Sequence, residues 1–155
     1  LLLSSLHTNA APTAVTRLLD LGVPSYLIQS TVLGVMAQRL VRTLCPHCKK
    51  PTEPPDDETW RAITAPWRAD KPAEVMGAVG CLECRMTGYF GRIGLYEIMT
   101  MTPGLRRLIV PGCDDARLRE QAFKDGMKPL RVSGAMKVAA GVTTAEEVVN
   151  VAPLG

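Results

Sequence analysis

The sequence contains no run of about 18 apolar residues, the length that a membrane-spanning helix needs. It opens with three leucines, but it lacks the basic segment and the longer apolar core of a signal peptide. We therefore expect a cytoplasmic protein. The chain also begins without an initiator methionine, on a segment that reads as a buried strand, so we interpret it as a piece of a longer protein.

Aromatic residues and excess charge are also scarce. Aromatic side chains make up 5% of the sequence and apolar residues 46%, so the core must be mainly aliphatic. The net charge of +3 is too small to indicate nucleic-acid binding by itself. A chain of 155 residues with this composition predicts one globular domain or two small ones.

The glycine motifs that bind phosphate are missing. Gly88, Gly91 and Gly94 form a GxxGxxG pattern, which differs from the GxGxxG of dinucleotide-binding folds, and no GxxxxGK[ST] occurs. These glycines predict tight turns ahead of a strand over residues 93–99. In and just before this strand, Glu97 and Arg92 are interpreted as a structural pair in preference to a site.

The most informative feature is two CxxC pairs, Cys45 with Cys48 and Cys81 with Cys84. Two thiolates at this spacing can bind one side of a tetrahedral ion, and a second pair completes its coordination. This pattern predicts a four-cysteine structural zinc site. His47 lies inside the first pair and is interpreted as an exposed spacer, although it could replace one cysteine as a ligand.

Three alternatives to zinc remain open at this point. The same four sulfurs would suit an iron site of the rubredoxin type, and the sequence does not separate the two metals. One pair could be a redox motif of the thioredoxin type, or the four cysteines could form disulfides. A fifth cysteine, Cys113, has no partner in the pattern and is interpreted as a free thiol without a role.

Ahead of the cysteines, residues 1–6 resemble a buried parallel strand that delivers His7, Thr8 and Asn9 at its carboxyl end. Ligands gather at such strand ends in α/β sheets, so these three residues are a candidate site. A helix is predicted to follow, with Asn9 as its cap and Pro12 in its first turn, ending at Gly22.

Residues 24–36 predict a second helix that is apolar nearly all round and therefore buried. Residues 38–44 predict a strand, in which Arg39 and Arg42 are solvated, salt-bridged or facing an anion. The insert at 49–80 predicts one short helix with Trp60 and Ile63 facing inward. Because this insert has little core of its own, we expect the metal to hold it and the insert to be mobile.

The rest of the chain predicts four short helices, because each of four segments begins with a good first-turn or capping residue. These segments start at Thr102-Pro103, Asp114-Asp115, Pro129 and Thr144. The last of them reads as a capping box that includes Glu147.

Three blocks of the sequence together resemble the assembly and export branch of the secretion ATPases, the motors of type II secretion and type IV pilus assembly. The blocks are residues 4–9 (SSLHTN), 38–48 (QRLVRTLCPHC) and 81–97 (CLECRMTGYFGRIGLYE). The first resembles the family's His box, and the other two carry its tetracysteine motif. Ala10 departs from the family pattern, which often has an acidic or small polar residue there.

The resemblance implies a hexameric cytoplasmic ATPase, peripherally associated with the inner membrane through its platform proteins, with no nucleic acid among its partners. Residue by residue, it implies that His7 is the His-box histidine near the terminal phosphate of ATP. It also implies that Cys45, Cys48, Cys81 and Cys84 bind zinc.

The implied fold class is α/β, the C-terminal part of a RecA-like P-loop ATPase domain with a zinc-binding insert and a C-terminal helical subdomain. On this reading, residues 1–44 belong to the RecA-like core, 45–92 to the zinc subdomain, and 93–155 to a short strand and the helical subdomain.

Because the phosphate loop and the magnesium-binding acids are not in these residues, the resemblance places them upstream of residue 1. ATP and Mg²⁺ would then bind only the full-length protein, and we expect these 155 residues alone to hydrolyse no ATP. The alternative function is a zinc ribbon that binds a protein or a nucleic acid. The acidic residues of the insert, Glu53, Asp56, Asp57 and Glu58, argue against nucleic acid.

Overall fold

A computed structural model of the chain describes residues 1–152 and contains seven helices and four strands in that range. The helices are α1 (Ala11–Asp20), α2 (Ser25–Thr31), α3 (Asp57–Thr64), α4 (Pro103–Leu108), α5 (Asp115–Lys124), α6 (Leu130–Ala139) and α7 (Ala145–Val151). The strands are β1 (Gly34–Leu44), β2 (Lys50–Thr52), β3 (Val75–Gly77) and β4 (Tyr89–Thr100). The mixed helix and strand content agrees with the sequence prediction. None of the helices in this range is long and apolar enough to cross a membrane.

The strands form two small sheets. One consists of β1 and β4, and the other pairs β2 antiparallel with β3, with Lys50 opposite Gly77 and Thr52 opposite Val75. The chain folds into two compact units. The first unit is Leu1–Ala37 with Glu97–Lys128, and the second is Gln38–Tyr96 with the chain from Pro129 onward.

The first unit has an aliphatic core in which helices α1, α2, α4 and α5 pack together. Val15 of α1, Ile28 of α2 and Leu118 of α5 are almost completely buried. Pro12 lies in the first turn of α1, and Gly22 follows the helix with φ of +86°, as the sequence predicts. The predicted cap is wrong, because the N-cap is Ala10 and makes no side-chain hydrogen bond.

The predicted strand over residues 1–6 is wrong. These residues have no regular structure, and Leu1, Leu2 and Leu3 are exposed. A strand needs a neighbour that satisfies its backbone hydrogen bonds, and in the described range β1 pairs with β4 and β2 with β3. An apolar sequence therefore does not suffice to form a buried strand here.

The second predicted helix is shorter and less buried than expected. It ends at Thr31, and of its seven residues only Ile28 is buried, while Tyr26 is 65% exposed. Met36, expected on this helix, lies instead on β1. Apolar residues on every side of the segment predicted a buried helix, but the chain turns into a strand at Gly34.

The second unit has its own core, built by α3, α6, α7 and the strands. Trp60 and Ile63 of α3 are 5% and 0% exposed and lie in one cluster with Leu130 and Val148. The insert was expected to have little core of its own, and its packing comes from another part of the chain, because α3 contacts both α6 and α7. The cap of α3 is Asp56, whose carboxylate accepts the Thr59 N–H at 2.7 Å.

The predicted starts of the last four helices are confirmed. The N-caps are Thr102 for α4, Asp114 for α5, Pro129 for α6 and Thr144 for α7. Except for Pro129, each accepts a backbone N–H of the first turn with its side chain. Capping is local, so the sequence shows it directly.

Candidate metal centre

Two tight turns present the four cysteines in the second unit. The first turn follows β1, where the Lys49 N–H donates to the Cys45 carbonyl at 3.0 Å. The second precedes β4, where the Met86 N–H donates to the Cys81 carbonyl at 2.8 Å. Each turn thus brings both sulfurs of its pair to the same side.

The four sulfur atoms lie within 4.8 Å of one another. Three of the separations are Cys45 to Cys81 at 3.9 Å, Cys48 to Cys84 at 3.8 Å and Cys81 to Cys84 at 3.8 Å. A zinc ion with Zn–S bonds of about 2.3 Å requires sulfurs about 3.8 Å apart at the corners of a tetrahedron. The cluster therefore has the size that a tetrahedral metal such as zinc needs.

The same distances exclude disulfide bonds in this structure, because bonded sulfurs lie about 2.05 Å apart. Within the described residues, the ligand group consists of the four cysteines alone, and His47 is exposed. A thioredoxin-type pair needs two sulfurs, whereas here all four converge. A tetrahedral ion is what this arrangement favours among the alternatives.

Backbone N–H groups point at two of the sulfurs. The Gly80 N–H donates to Cys48 Sγ at 3.3 Å, and the N–H groups of Cys81 and Gly88 each donate to Cys84 Sγ at 3.2 Å. Such donors favour the thiolate, which is the form that binds metal.

Cys48 and Cys84 differ in acidity. Burial raises the pKa of Cys84, but the N–H groups of Cys81 and Gly88, together with hydrogen bonds from the Cys81 and Cys48 side chains, outweigh it and lower the value to about 6. Burial and hydrogen bonds with the other three cysteines raise the pKa of Cys48 to about 11, against the opposing hydrogen bond from the Gly80 N–H. Protons leave such a group of thiols one after another, and a bound cation favours the loss of all four.

Left-handed backbone conformations shape the second turn. Arg85 and Met86 have φ of +53° and +64°, which non-glycine residues rarely adopt, and Gly88 has φ of +78°. A Cβ at position 88 would lie 2.7 Å from the Cβ of Ala78. Glycine is therefore required where the N–H of this residue approaches Cys84.

The turns are fastened to the rest of the second unit. The Cys45 N–H donates to the Gly88 carbonyl at 2.9 Å, which joins one turn to the other. Lys49 Nζ donates to the Gly141 carbonyl at 2.8 Å, just before α7. The sulfur positions therefore depend on the helical part of the unit as well as on the insert.

His7 does not belong to the cysteine cluster. It is exposed and lies in the irregular segment ahead of α1, in the first unit. Thr8 and Asn9 follow it directly. Cys113, also in the first unit, is a free thiol, and burial raises its pKa.

The sequence suggested a pair of Glu97 with Arg92 and a capping box completed by Glu147, but the structure gives both buried carboxylates other partners. Glu97 accepts the Ala11 N–H at 2.8 Å and so lies at the start of α1, whereas Arg92 is exposed. Glu147 pairs with Arg42 instead of completing the predicted capping box. The sequence held one signal for these contacts: Glu97 and Glu147 are charged residues at positions where the apolar periodicity of β4 and α7 predicts an inward-facing side chain.

Comparison with known proteins gives consistent results over nearly the whole chain. Residues 1–150 match the family described as "Type II/IV secretion system protein". The type IV pilus assembly ATPase TfpB of Acinetobacter baylyi is 48% identical over 154 residues, which is 99% of this chain and 26% of that protein. The type IV pilus assembly ATPase PilB of Myxococcus xanthus is 42% identical, covering 99% of this chain and 27% of that protein.

A relative named for type II secretion, in place of pilus assembly, matches at a similar level. The type II secretion system ATPase E of Vibrio cholerae is 40% identical over 151 residues, which is 97% of this chain and 29% of that protein. The chain thus spans about a quarter of the length of the curated relatives it matches.

Proposed function

Because the chain belongs to the type II/IV secretion system protein family, we propose that it is the C-terminal part of a motor ATPase that powers type II secretion or type IV pilus assembly. The observation that carries this proposal is the 48% identity to a pilus assembly ATPase over 99% of the chain. That match covers nearly the whole chain and therefore spans both compact units. The relatives bear the names of ATPases, so we do not advance the zinc-ribbon alternative.

In the full-length protein, we propose that residues 1–44 complete a RecA-like ATPase core that holds ATP and Mg²⁺. Residues 45–92 then form the zinc subdomain, and the part from residue 93 forms a helical subdomain. The last three residues, 153–155, lie outside the described range. Packing of α3 against α6 and α7 supports a zinc subdomain that is built into the helical part.

For the cysteines we propose a structural role. Cys45, Cys48, Cys81 and Cys84 would hold Zn²⁺, which supplies folding free energy when bound. The sulfur separations near 3.8 Å support this assignment. Four protein ligands would fill the coordination sphere, so this ion would perform no hydrolysis.

For His7 we propose a role in sensing the nucleotide. Its imidazole is exposed ahead of α1 and therefore available to a ligand that the rest of the motor holds. A neutral imidazole can donate a hydrogen bond to the terminal phosphate and lose it when that phosphate leaves. Such a change would report hydrolysis to α1.

We further propose the assembly that the family resemblance implies. The full-length motor would be a cytoplasmic hexamer, held at the inner membrane by platform proteins, without nucleic acid. The names of the relatives, which include both pilus assembly and type II secretion, support a partner in one of these machines.

The test of this function is ATP hydrolysis by the full-length protein, with His7→Ala as the variant. We expect kcat to fall about tenfold or more, because a group at the reacting phosphate acts on the chemical step. The matched control is His47→Ala, since the chain has only these two histidines and His47 is an exposed spacer. Equal kcat for the two variants would contradict the role of His7, and absence of ATPase activity from the wild-type protein would contradict the proposed function.

A further inference from the structure

The N-terminus of helix α1 has no capping side chain at its N-cap position. The N-cap is Ala10, which makes no side-chain hydrogen bond, and the first turn contains no acidic residue. Ala11 is completely buried, so water cannot satisfy its N–H group. A buried N–H at a helix start needs an acceptor from elsewhere in the fold.

Glu97 provides that acceptor from a distant part of the chain. Its Oε1 accepts the Ala11 N–H at 2.8 Å, across a sequence separation of 86 residues. The carboxylate is only 6% exposed. A negative charge at this position also interacts favourably with the positive end of the helix dipole.

The position of Glu97 on β4 is otherwise an apolar one. Alternate residues of this strand face inward, and the inward neighbours of Glu97 are Leu95 and Met99, which are 0% and 1% exposed. A charged side chain among such residues is unfavourable unless it is paired or hydrogen-bonded. The hydrogen bond from the Ala11 N–H is the interaction that stabilises a carboxylate at this position.

We propose that Glu97 is a positioning residue for His7, Thr8 and Asn9. By holding the first turn of α1 in place, Glu97 sets the direction in which residues 7–9 run into the helix. His7 is three residues ahead of the N-cap, within reach of this constraint. The inference rests on the proposed function, because it assigns Glu97 to the nucleotide-sensing role of that segment.

The test uses the full-length protein with three substitutions at one position. Glu97→Ala removes the acceptor, Glu97→Asp shortens the side chain so that it no longer reaches Ala11, and Glu97→Gln keeps both length and an acceptor oxygen. The matched control is Glu147→Gln, which alters another carboxylate that is 6% exposed, in the second unit.

Two readouts are measured for each variant: hydrogen exchange of residues 7–14 and the kinetics of ATP hydrolysis. We expect Glu97→Ala and Glu97→Asp to exchange these amides about tenfold faster and to lower kcat about tenfold, with KM for ATP nearly unchanged. Glu97→Gln should lie close to wild type in both readouts. The control should exchange faster in the second unit and leave residues 7–14 and kcat unchanged.

Several outcomes would overturn the inference. One is unchanged exchange at residues 7–14 in Glu97→Asp. Another is a Glu97 variant that is less stable than wild type, like the Glu147→Gln control, but retains wild-type kcat. If Glu97→Ala does not fold, Glu97→Asp and Glu97→Gln still decide the question, because equal effects of these two would exclude a length-dependent contact.

Failure of the inference is distinguishable from failure of the proposed function. A low kcat in His7→Ala together with normal kcat in Glu97→Asp would overturn the positioning role alone. Normal kcat in His7→Ala would overturn the sensing role, while the exchange of residues 7–14 would still show whether Glu97 fixes the start of α1.

Discussion

Arg42 and Glu147 are joined by three hydrogen bonds in the second unit. The guanidinium donates from Nε and Nη2 to Oε1 at 3.0 and 2.6 Å, and the Arg42 backbone N–H donates to Oε2 at 3.0 Å. The guanidinium also lies over the ring of Tyr89, 4.1 Å from its centroid. These interactions connect β1, α7 and the first residue of β4. Arg42 lies three residues before Cys45 in the sequence.

Glu147→Gln should destabilise the second unit by about 1.5 kcal/mol, because an amide cannot accept from the guanidinium and the backbone N–H together. This loss is at the low end of the range for hydrogen bonds to charged groups, because the Arg42 side chain is 52% exposed and solvent partly screens its charge. Hydrogen exchange of α7 in the full-length protein measures the loss. Glu120→Gln, which breaks an exposed pair with Lys124, is the control and should have no measurable effect. Equal exchange in both variants would contradict a stabilising role for the Arg42 pair.

The same pair predicts a pH dependence. Hydrogen bonding to Arg42 holds the pKa of Glu147 below its ordinary value of 4.5. Because the folded pKa is lower than the unfolded one, the contribution is complete above pH 4.5 and is lost as the pH falls through the lowered value. The stability difference between wild type and Glu147→Gln should therefore be constant from pH 7 to 5 and shrink below pH 4.5. A difference that grows on acidification would contradict this assignment.

Gly88→Ala should disrupt the second cysteine turn. The residue has a positive φ, and an added Cβ would overlap Ala78, so we expect a loss of roughly 2–4 kcal/mol and weaker zinc retention. Gly112→Ala is the matched control, because φ is +73° and no atom lies within 4 Å of the added Cβ. That variant should cost about 1 kcal/mol and leave zinc retention unchanged. Zinc release monitored with a chelating dye measures the difference.

Close packing of α6 on α7 depends on Gly134. An added Cβ would overlap both methyl groups of Val148, which is completely buried. Although alanine favours a helix by about 1 kcal/mol over glycine, Gly134→Ala should be destabilising by about 1–2 kcal/mol because of this overlap.

A double-mutant cycle with Val148→Ala checks the cause. The combined variant should be more stable than the sum of the single losses by at least about 1 kcal/mol, since the smaller side chain makes room for the new methyl group. Gly104→Ala in α4 is the control, because its neighbour is the flexible end of Gln121. Additive effects within about 0.5 kcal/mol would exclude the overlap with Val148.

Removal of the metal should loosen the second unit in particular. Because α3 shares a core with α6 and α7, we expect faster hydrogen exchange in all three helices as well as in residues 45–92. Helices α1 and α5 of the first unit should keep their protection. Exchange that rises only in residues 45–92 would contradict the shared core.

The features that the sequence predicted well depend on local interactions. Thr102, Asp114 and Thr144 cap the helices they precede, because a cap bonds to an N–H two or three residues further on. The convergence of the four cysteines followed from their spacing, since each pair is confined to one turn.

The features that the sequence missed depend on contacts between distant residues. Residues 1–6 have the composition of a strand, but no strand in the described range pairs with them. The packing of Trp60 depends on α6 and α7, which follow much later in the chain. The contact of Glu97 with Ala11 spans 86 residues, and no local pattern indicates it.

We propose above that the four cysteines hold a structural zinc ion in a secretion motor. Elemental analysis of the purified full-length protein tests it most directly, with Cys48→Ser as the variant and Cys113→Ser as the matched control. We predict one zinc ion per chain in the wild type and the control, and little or none in Cys48→Ser. Iron in place of zinc, a wild type without metal, or equal zinc content in all three proteins would contradict the account.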